Sequence, residues 1–341
     1  HGPVRVVAPG QSSHTEVWDD TIEVIRFAAP DKPLSTLRPW RPNDLYHLFK
    51  VLRGGQAAVD RAVADGARHV LALWGLPCGE WARRASRRTG IGYSVWLLGS
   101  DVWSLGKLPV ARAMLRRVIR NAQKAWADGY KLAEDAMQIA GTQVDFLPST
   151  RKTLTVNPPP PRDKPPYRLL FLGRWHPNKG IDLLLDALAL LDDEDWRRIE
   201  AVEIQGGGPM HDLVHERVAR LQAAGRPIEV GGFLAKAEAE AAIVRADWVL
   251  IPSRIESIPV VFSDAIKLGR PVMATPVGDL PRLIEQNLKC GATAGKASTE
   301  AYFDALRVAL SSGLRARVDW QGELSRKFSL ERIVGCLLSQ Q

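Results

Sequence analysis

Between residues 157 and 166 the chain reads Asn-Pro-Pro-Pro-Pro-Arg-Asp-Lys-Pro-Pro, six prolines in ten residues. Proline locks φ and offers no amide proton, so this stretch continues neither a helix nor a central strand. It predicts a semi-rigid extended linker over 158–166. A domain boundary follows, with one domain over 1–157 and another over 167–324.

Strands and helices alternate on both sides, which predicts α/β layers built on parallel sheets. In the first half, Val4–Ala8, Val70–Trp74, Tyr93–Leu98 and Val144–Leu147 read as strands, while Cys78–Arg88 and Lys107–Trp126 read as helices. In the second half, Leu169–Leu172, Val202–Gln205, Ile228–Val230 and Trp248–Ile251 read as strands. Gly180–Leu191, His211–Ala223 and Lys236–Arg245 read as helices, the first with an apolar face at Ile181, Leu184, Leu185 and Leu188. Two such halves are expected to face each other across a cleft, where ligands usually bind.

The 341 residues suffice for two domains, and 45% hydrophobic with 25% charged residues is an ordinary globular composition. No apolar run approaches the roughly 18 residues of a membrane helix. The opening HGPVRVVAPG lacks a basic-then-apolar signal design, and His1-Gly2-Pro3 is set apart from the fold. Cys78, Cys290 and Cys336 are isolated, which fits reduced thiols in a cytosol rather than a zinc site. The net charge of +8 suits an anionic substrate or membrane surface. No nucleic-acid-binding motif accompanies it, so no nucleic-acid partner is expected.

The richest stretch runs from Trp248 to Ile284: a strand, a loop carrying Glu256, a short helix carrying Asp264, a second strand and a Gly/Pro turn. Ser257-Ile258-Pro259 opens the helix, with Pro259 at a plausible first helical position and free N–H groups suited to a phosphate. PSRIESIPVVFSDA resembles the E-x7-E motif of the retaining glycosyltransferases of family 4, and Phe171-Leu-Gly-Arg-Trp-His-Pro-Asn-Lys-Gly-Ile181 resembles their strand–loop–helix signature. Gly206-Gly-Gly-Pro209 and Val230-Gly-Gly-Phe-Leu234 fall where that family has its G-x-G-P and base-reading turns. Trp74-Gly-Leu-Pro77 and Gly99-Ser-Asp-Val-Trp103 resemble its H-W-x-x-P and H-G-S-D-x-W stretches.

The resemblance implies the GT-B fold: two Rossmann-like domains facing across a cleft, with a C-terminal helix over 325–341 crossing back to the first. It implies a retaining, metal-independent transferase that moves a sugar from a nucleotide-diphosphate-sugar, UDP- or GDP-linked, to a glycan or lipid-linked hydroxyl, with no cofactor. Arg174 and Lys179 then hold the diphosphate, and Gly207 lines the turn beside it. Glu256, Ser257, Ile258 and Pro259 meet the sugar, Asp264 the ribose hydroxyls, and Phe233 and Leu234 the base. Gly10 approaches the donor from the first domain, and Asp101 the acceptor. Asp101 reads equally as a turn cap, and Phe233 as a packing aromatic.

Three positions depart from the family pattern. Asp264 stands for Glu, and Leu73 and Leu98 stand where histidines are usual. A degenerate nucleotide-sugar-binding protein and a sugar-nucleotide epimerase therefore stay open. An NAD-dependent oxidoreductase does not fit, because Pro9-Gly10-Gln11 replaces its glycine fingerprint. Asp193-Glu194-Asp195 matches a D-x-D metal motif but trails a helix, and reads as a solvated helix end. Finally, Arg112, Arg116, Arg117, Arg120 and Lys124, with Arg83, Arg84, Arg87 and Arg88, form basic clusters suited either to an anionic membrane or to water.

Overall fold

The computed structural model describes residues 3–31, 40–155, 157–285, 290–312 and 326–338. The chain forms two compact units. One comprises residues up to Asp128 with Leu132–Phe146; the other comprises Gly129–Lys131 and the chain from Leu147 to residue 340. The division therefore falls at Phe146/Leu147 rather than at the proline run.

The proline segment is tied to the second unit by buried polar groups. Asp247 accepts from the Arg162 amide (2.8 Å) and Nε (3.0 Å) and from the Arg168 amide (2.7 Å). Arg270, itself buried, donates to the Pro159 carbonyl at 2.7 Å. The expected free linker is thus a strap along this unit. The terminal helix Leu330–Leu338 also groups with the second unit, next to Phe328, whose ring meets Phe262 edge-on.

The first unit holds two sheets. Strands β1 (Val4–Gly10), β2 (His14–Asp19) and β3 (Ile22–Ala28) lie in the order β1-β3-β2, with β2 antiparallel. Strands β4 (His69–Leu73), β5 (Gly92–Leu97), β6 (Lys124–Ala127) and β7 (Asp145–Phe146) are parallel and in sequence order. The helices are α1 (Pro42–Ala64), α2 (Glu80–Thr89), α3 (Ser100–Trp103) and α4 (Pro109–Asn121), and α5 (Tyr130–Ala140) completes the set. Val51, Val59, Phe27 and Trp81 join α1 to β3 and α2, and a Cβ on Gly55 would lie 2.3 Å from the Trp81 ring.

The expected helix over Lys107–Trp126 is cut at both ends. Pro109 suits a helix start, and Ala122 is already extended (φ −71, ψ 142). Beyond it, Ala125–Ala127 are buried beside β5 and outweigh helical spacing. Lys124 lies on β6, so it leaves the proposed basic stripe.

The second unit is one six-stranded parallel sheet in the order β10-β9-β8-β11-β12-β13. Its strands are β8 (Tyr167–Arg174), β9 (Ile199–Gly207), β10 (Ile228–Gly231), β11 (Trp248–Ile251), β12 (Val272–Ala274) and β13 (Gly291–Thr293). The helices are α6 (Ile181–Ala189), α7 (Asp193–Trp196), α8 (His211–Ala223), α9 (Lys236–Arg245), α10 (Val260–Lys267), α11 (Leu280–Glu285) and α12 (Thr299–Ser312). Leucines of α6 and valines of β9 and α8 fill the largest core. The chain first builds β8, β9 and β10 outward, then returns to lay β11 on the other side of β8. Loops leaving β8 and β11 diverge at this switch point, where open α/β sheets form their crevice. Among the described residues, no helix is long and apolar enough to cross a membrane.

Candidate active site

The loop after β8 and the loop after β11 are locked together. Gly180 has φ 66, and a Cβ there would sit 1.9 Å from the Pro252 carbonyl oxygen, so only glycine lets the two backbones approach. The Arg254 amide donates to the Asn178 carbonyl at 2.8 Å. The Arg254 guanidinium donates to the Pro177 carbonyl (2.8 Å) and, with both terminal nitrogens, to Asp182 (2.7 and 2.9 Å). Burial disfavours the Asp182 charge, but the hydrogen bonds and charge of Arg254 outweigh it and hold the carboxyl below its ordinary range.

This clasp brings Lys179 to Glu256, and their side chains form an ion pair. Arg174 ends β8 and is exposed, with no ion-pair partner among the described residues. Gly207 lies opposite it in the β8–β9 register. Gly206 and Gly208 have φ 147 and 151, and Cβ atoms there would meet the Gly173 and Trp175 carbonyl oxygens at 1.9 and 2.7 Å. The glycine turn therefore keeps β9 close beneath the β8 loop. A Cβ on Gly207 would lie 2.8 Å from the Phe233 ring, which is 72% exposed; Leu234 beside it is half-buried.

Ser257 is buried, and its Oγ has no hydrogen-bond partner among the described residues. Its carbonyl accepts from the Asp279 amide (3.2 Å), while Gly278 (φ 55) leaves room for the Glu256 and Ser257 carbonyls, each 2.3 Å from a built Cβ. Ile258 is buried. Pro259 is extended (φ −65, ψ 140) and forms the N-cap, so α10 begins one residue later than expected. Phe262 N donates to the Pro259 carbonyl at 2.9 Å, which leaves the first amides of α10 without an intrahelical acceptor. Arg174, Lys179, Gly207, Phe233, Glu256 and the Ser257–Pro259 turn thus gather at the C-terminal edge of one sheet.

Asp264, Asp101 and Gly10 are each held by contacts within their own unit. Asp264 is fully buried and accepts from Arg151 at 2.7 Å (Nε) and 2.6 Å (Nη2); Lys267 Nζ lies 3.4 Å from its other oxygen. Burial pushes the Lys267 ammonium's pKa down, against the pull of Asp264. Arg151 takes up Asp264 Oδ2, whereas Oδ1 faces Lys267 without a hydrogen-bond partner among the described residues, so the carboxylate is enclosed by cations rather than set at an open edge. Asp101 is buried and accepts from the amides of Gly75 (2.7 Å), Gly99 and Val102 (3.1 Å each). Burial pushes its pKa up against those bonds. It is the turn cap, holding the β4 and β5 loops together, and presents no free oxygen to an acceptor. Gly10 ends β1 without a left-handed backbone, and a Cβ there would meet Arg26 at 3.3 Å. Close packing against β3 accounts for its small size.

The metal-like acids cap helix α7. Asp192 forms a capping box with Asp195, and Asp193 and Asp195 pair with Arg226 (2.7 Å) and Arg307 (3.1 Å). The cluster around Arg83 is half neutralised, because Arg83 and Arg84 share Glu80 and Arg88 binds Asp60. On α4, Arg112, Arg116, Arg117 and Arg120 are exposed.

Arg254, Asp182 and Arg151 carry no motif signal. Arg254 and Asp182 are 72 residues apart, and only the position of β11 beside β8 joins them.

The family model described as glycosyl transferases group 1 matches residues 166–312. A D-inositol 3-phosphate glycosyltransferase of Saccharomonospora viridis is 32% identical over 223 residues, 61% of this chain and 50% of that protein. A GDP-mannose-dependent alpha-(1-6)-phosphatidylinositol monomannoside mannosyltransferase of Mycobacterium tuberculosis is 28% identical over 224 residues, 60% and 56% of the two chains. The chain spans about half the length of the curated relatives it matches. Among solved structures, sucrose-phosphate synthase from Thermosynechococcus elongatus is similar with a TM-score of 0.72 at 16% identity, covering 98% of this chain and 87% of that one. Anabaena HepE in complex with UDP gives a TM-score of 0.67 at 16% identity, covering 94% and 86%. These two likenesses bear on the fold alone.

Proposed function

We propose that this chain, GT-B in fold and matched over residues 166–312 by the family model described as glycosyl transferases group 1, moves a sugar from a nucleotide-diphosphate-sugar to a hydroxyl acceptor. The observation that carries this reading is the Lys179–Glu256 ion pair, held at the sheet's switch point by the Arg254–Asp182 clasp, with Arg174 at the end of β8.

In the proposed reaction the bond from the anomeric carbon to the diphosphate oxygen breaks, and a bond to the acceptor oxygen forms on the same face. The acceptor proton passes to the departing diphosphate oxygen, so no protein general base is required. Negative charge grows on the diphosphate, and fixed cations aimed at it lower the barrier. Arg174 supplies two parallel donors, and Lys179 a compact charge. Lys179 neutralises Glu256 before the donor arrives; the diphosphate then shares the ammonium. Glu256, released in part, accepts from sugar hydroxyls and favours positive charge at the ring. Ser257 Oγ and the first amides of α10 are unsatisfied groups suited to sugar hydroxyls or phosphate. Phe233 offers an exposed ring beside the glycine turn for the base. The reading uses neither metal nor cofactor.

The donor is a UDP- or GDP-sugar; the GDP-mannose named for the mycobacterial relative supports a nucleotide-diphosphate-sugar of this kind. The acceptor is a glycan or lipid-linked hydroxyl, as the phosphatidylinositol mannoside of that relative suggests. Work on such an acceptor suits a cytoplasmic protein peripheral to an anionic membrane.

A thermal-shift panel of UDP-, GDP- and ADP-sugars tests the donor, because a ligand that binds the folded state raises the melting temperature by mass action. One nucleotide class should stabilise the wild type and fail with Arg174→Ala. No response to any member would overturn the reading.

A further inference from the structure

Helix α1 is apolar on two sides. Val51, Gly55, Ala58, Val59 and Ala62 face the core with β3 and Trp81. On the far side Leu45, Tyr46, Phe49 and Leu52 are 52%, 61%, 58% and 39% exposed, and Trp40, just ahead, is 76% exposed. Positions 45, 49 and 52 stand one helical turn apart in succession, so they form a continuous stripe. Packing within the first unit explains the buried face; it leaves the second without a function. An exposed apolar stripe with aromatic rings marks an interaction surface.

The charges around it select the partner. Arg41, Lys50 and Arg53 are exposed and carry no ion pair among the described residues. Asp44, the acid of the first turns, is buried on the core side. The exposed surface from Trp40 to Arg53 therefore presents cations and apolar rings with no exposed carboxylate. A second copy docked on this stripe would bring like charges together, which opposes association. An anionic lipid surface satisfies both features: apolar side chains enter the headgroup–acyl boundary while Lys and Arg reach phosphates.

We propose that α1 is the membrane-docking element of this protein, inserting Leu45, Phe49 and Leu52 at the surface of an anionic bilayer with Lys50 and Arg53 on lipid phosphates. This rests on the membrane part of the proposed function and assigns it to α1 rather than to the arginines of α4.

The test is co-sedimentation at low salt with vesicles of phosphatidylcholine and phosphatidylglycerol, about two parts to one, against phosphatidylcholine alone. The wild type should pellet with the anionic vesicles only. Leu45→Ser/Phe49→Ser and Lys50→Glu/Arg53→Glu should each weaken binding about tenfold or more, while Arg112→Glu/Arg116→Glu/Arg120→Glu on α4 changes it less than about threefold. Circular-dichroism melting checks that the variants fold, and Phe49→Ala is the milder substitute if the double serine variant does not. Loss of binding only in the α4 variant would overturn the assignment to α1 and leave the membrane reading standing. A wild type that never pellets would overturn both. A concentration-dependent dimer in light scattering, abolished by the α1 variants while vesicle binding persists, would make the stripe a self-association surface and overturn the proposal.

Discussion

At the residue scale, two carboxylates eight positions apart have opposite environments. Glu256 pairs with Lys179 at an accessible edge, whereas Asp264 is enclosed with Arg151 and Lys267. Glu256→Ala and Lys179→Ala should each lower turnover by about 100- to 1,000-fold, the usual effect of removing a charge-stabilising group, with little change in melting temperature. Asp264→Asn should act the other way. Removing one member of a buried ion cluster leaves uncompensated cations and destabilises by about 3 kcal/mol, read by urea denaturation, while nucleotide affinity stays within about threefold of the wild type. A large loss of affinity without loss of stability would return Asp264 to the donor site. The motif spacing made the two acids look alike in the sequence. Their difference arises from the shorter side chain and from Arg151, which lies 113 residues away.

At the element scale, the site is built by two loops whose backbones approach closely because residue 180 is glycine, and which side-chain bonds then clasp together. Gly180→Ala should lose about 1–3 kcal/mol of stability, because the left-handed backbone and the Pro252 carbonyl both oppose a side chain. Chemical denaturation measures this, and an unchanged midpoint would contradict the lock. The Arg254–Asp182 clasp adds a pH dependence. The folded carboxyl titrates below its unfolded value of about 3.9, so its contribution is complete above that value and is lost as pH falls through the folded pKa. The stability gap between the wild type and Asp182→Asn should therefore shrink in acid. Most strands and helices of the second unit were legible, because apolar runs and glycine turns punctuate them. The β2–β3 hairpin and α1 were not read from the sequence. Gly54-Gly55 lowers the helix propensity of a segment that is nonetheless one continuous helix, and its two apolar sides blur the single-face period. The helix over Lys107–Trp126 was read too long because Lys124 continues an i, i+4 pattern that burial of β6 overrides.

At the scale of the whole molecule, the alternation of elements predicted α/β layers, and GT-B followed from the resemblance of the glycine and acid motifs to a family with that fold. The division between units was not legible from the proline run, since its carbonyls and neighbouring amides are taken up by Arg270 and Asp247, which are distant in sequence. The turn-cap reading of Asp101 was legible from its local amides at Gly99 and Val102, but its bond to the Gly75 amide exists only once β4 and β5 pair. What the fold achieves for function is the meeting of the β8 and β11 loops at one switch point. The most direct test is a crystal structure with the nucleotide-diphosphate-sugar that best stabilises the protein. The account predicts diphosphate oxygens in hydrogen-bond contact with the Arg174 guanidinium and Lys179 Nζ, with Glu256 on the sugar hydroxyls. A nucleotide bound away from these three residues would contradict it.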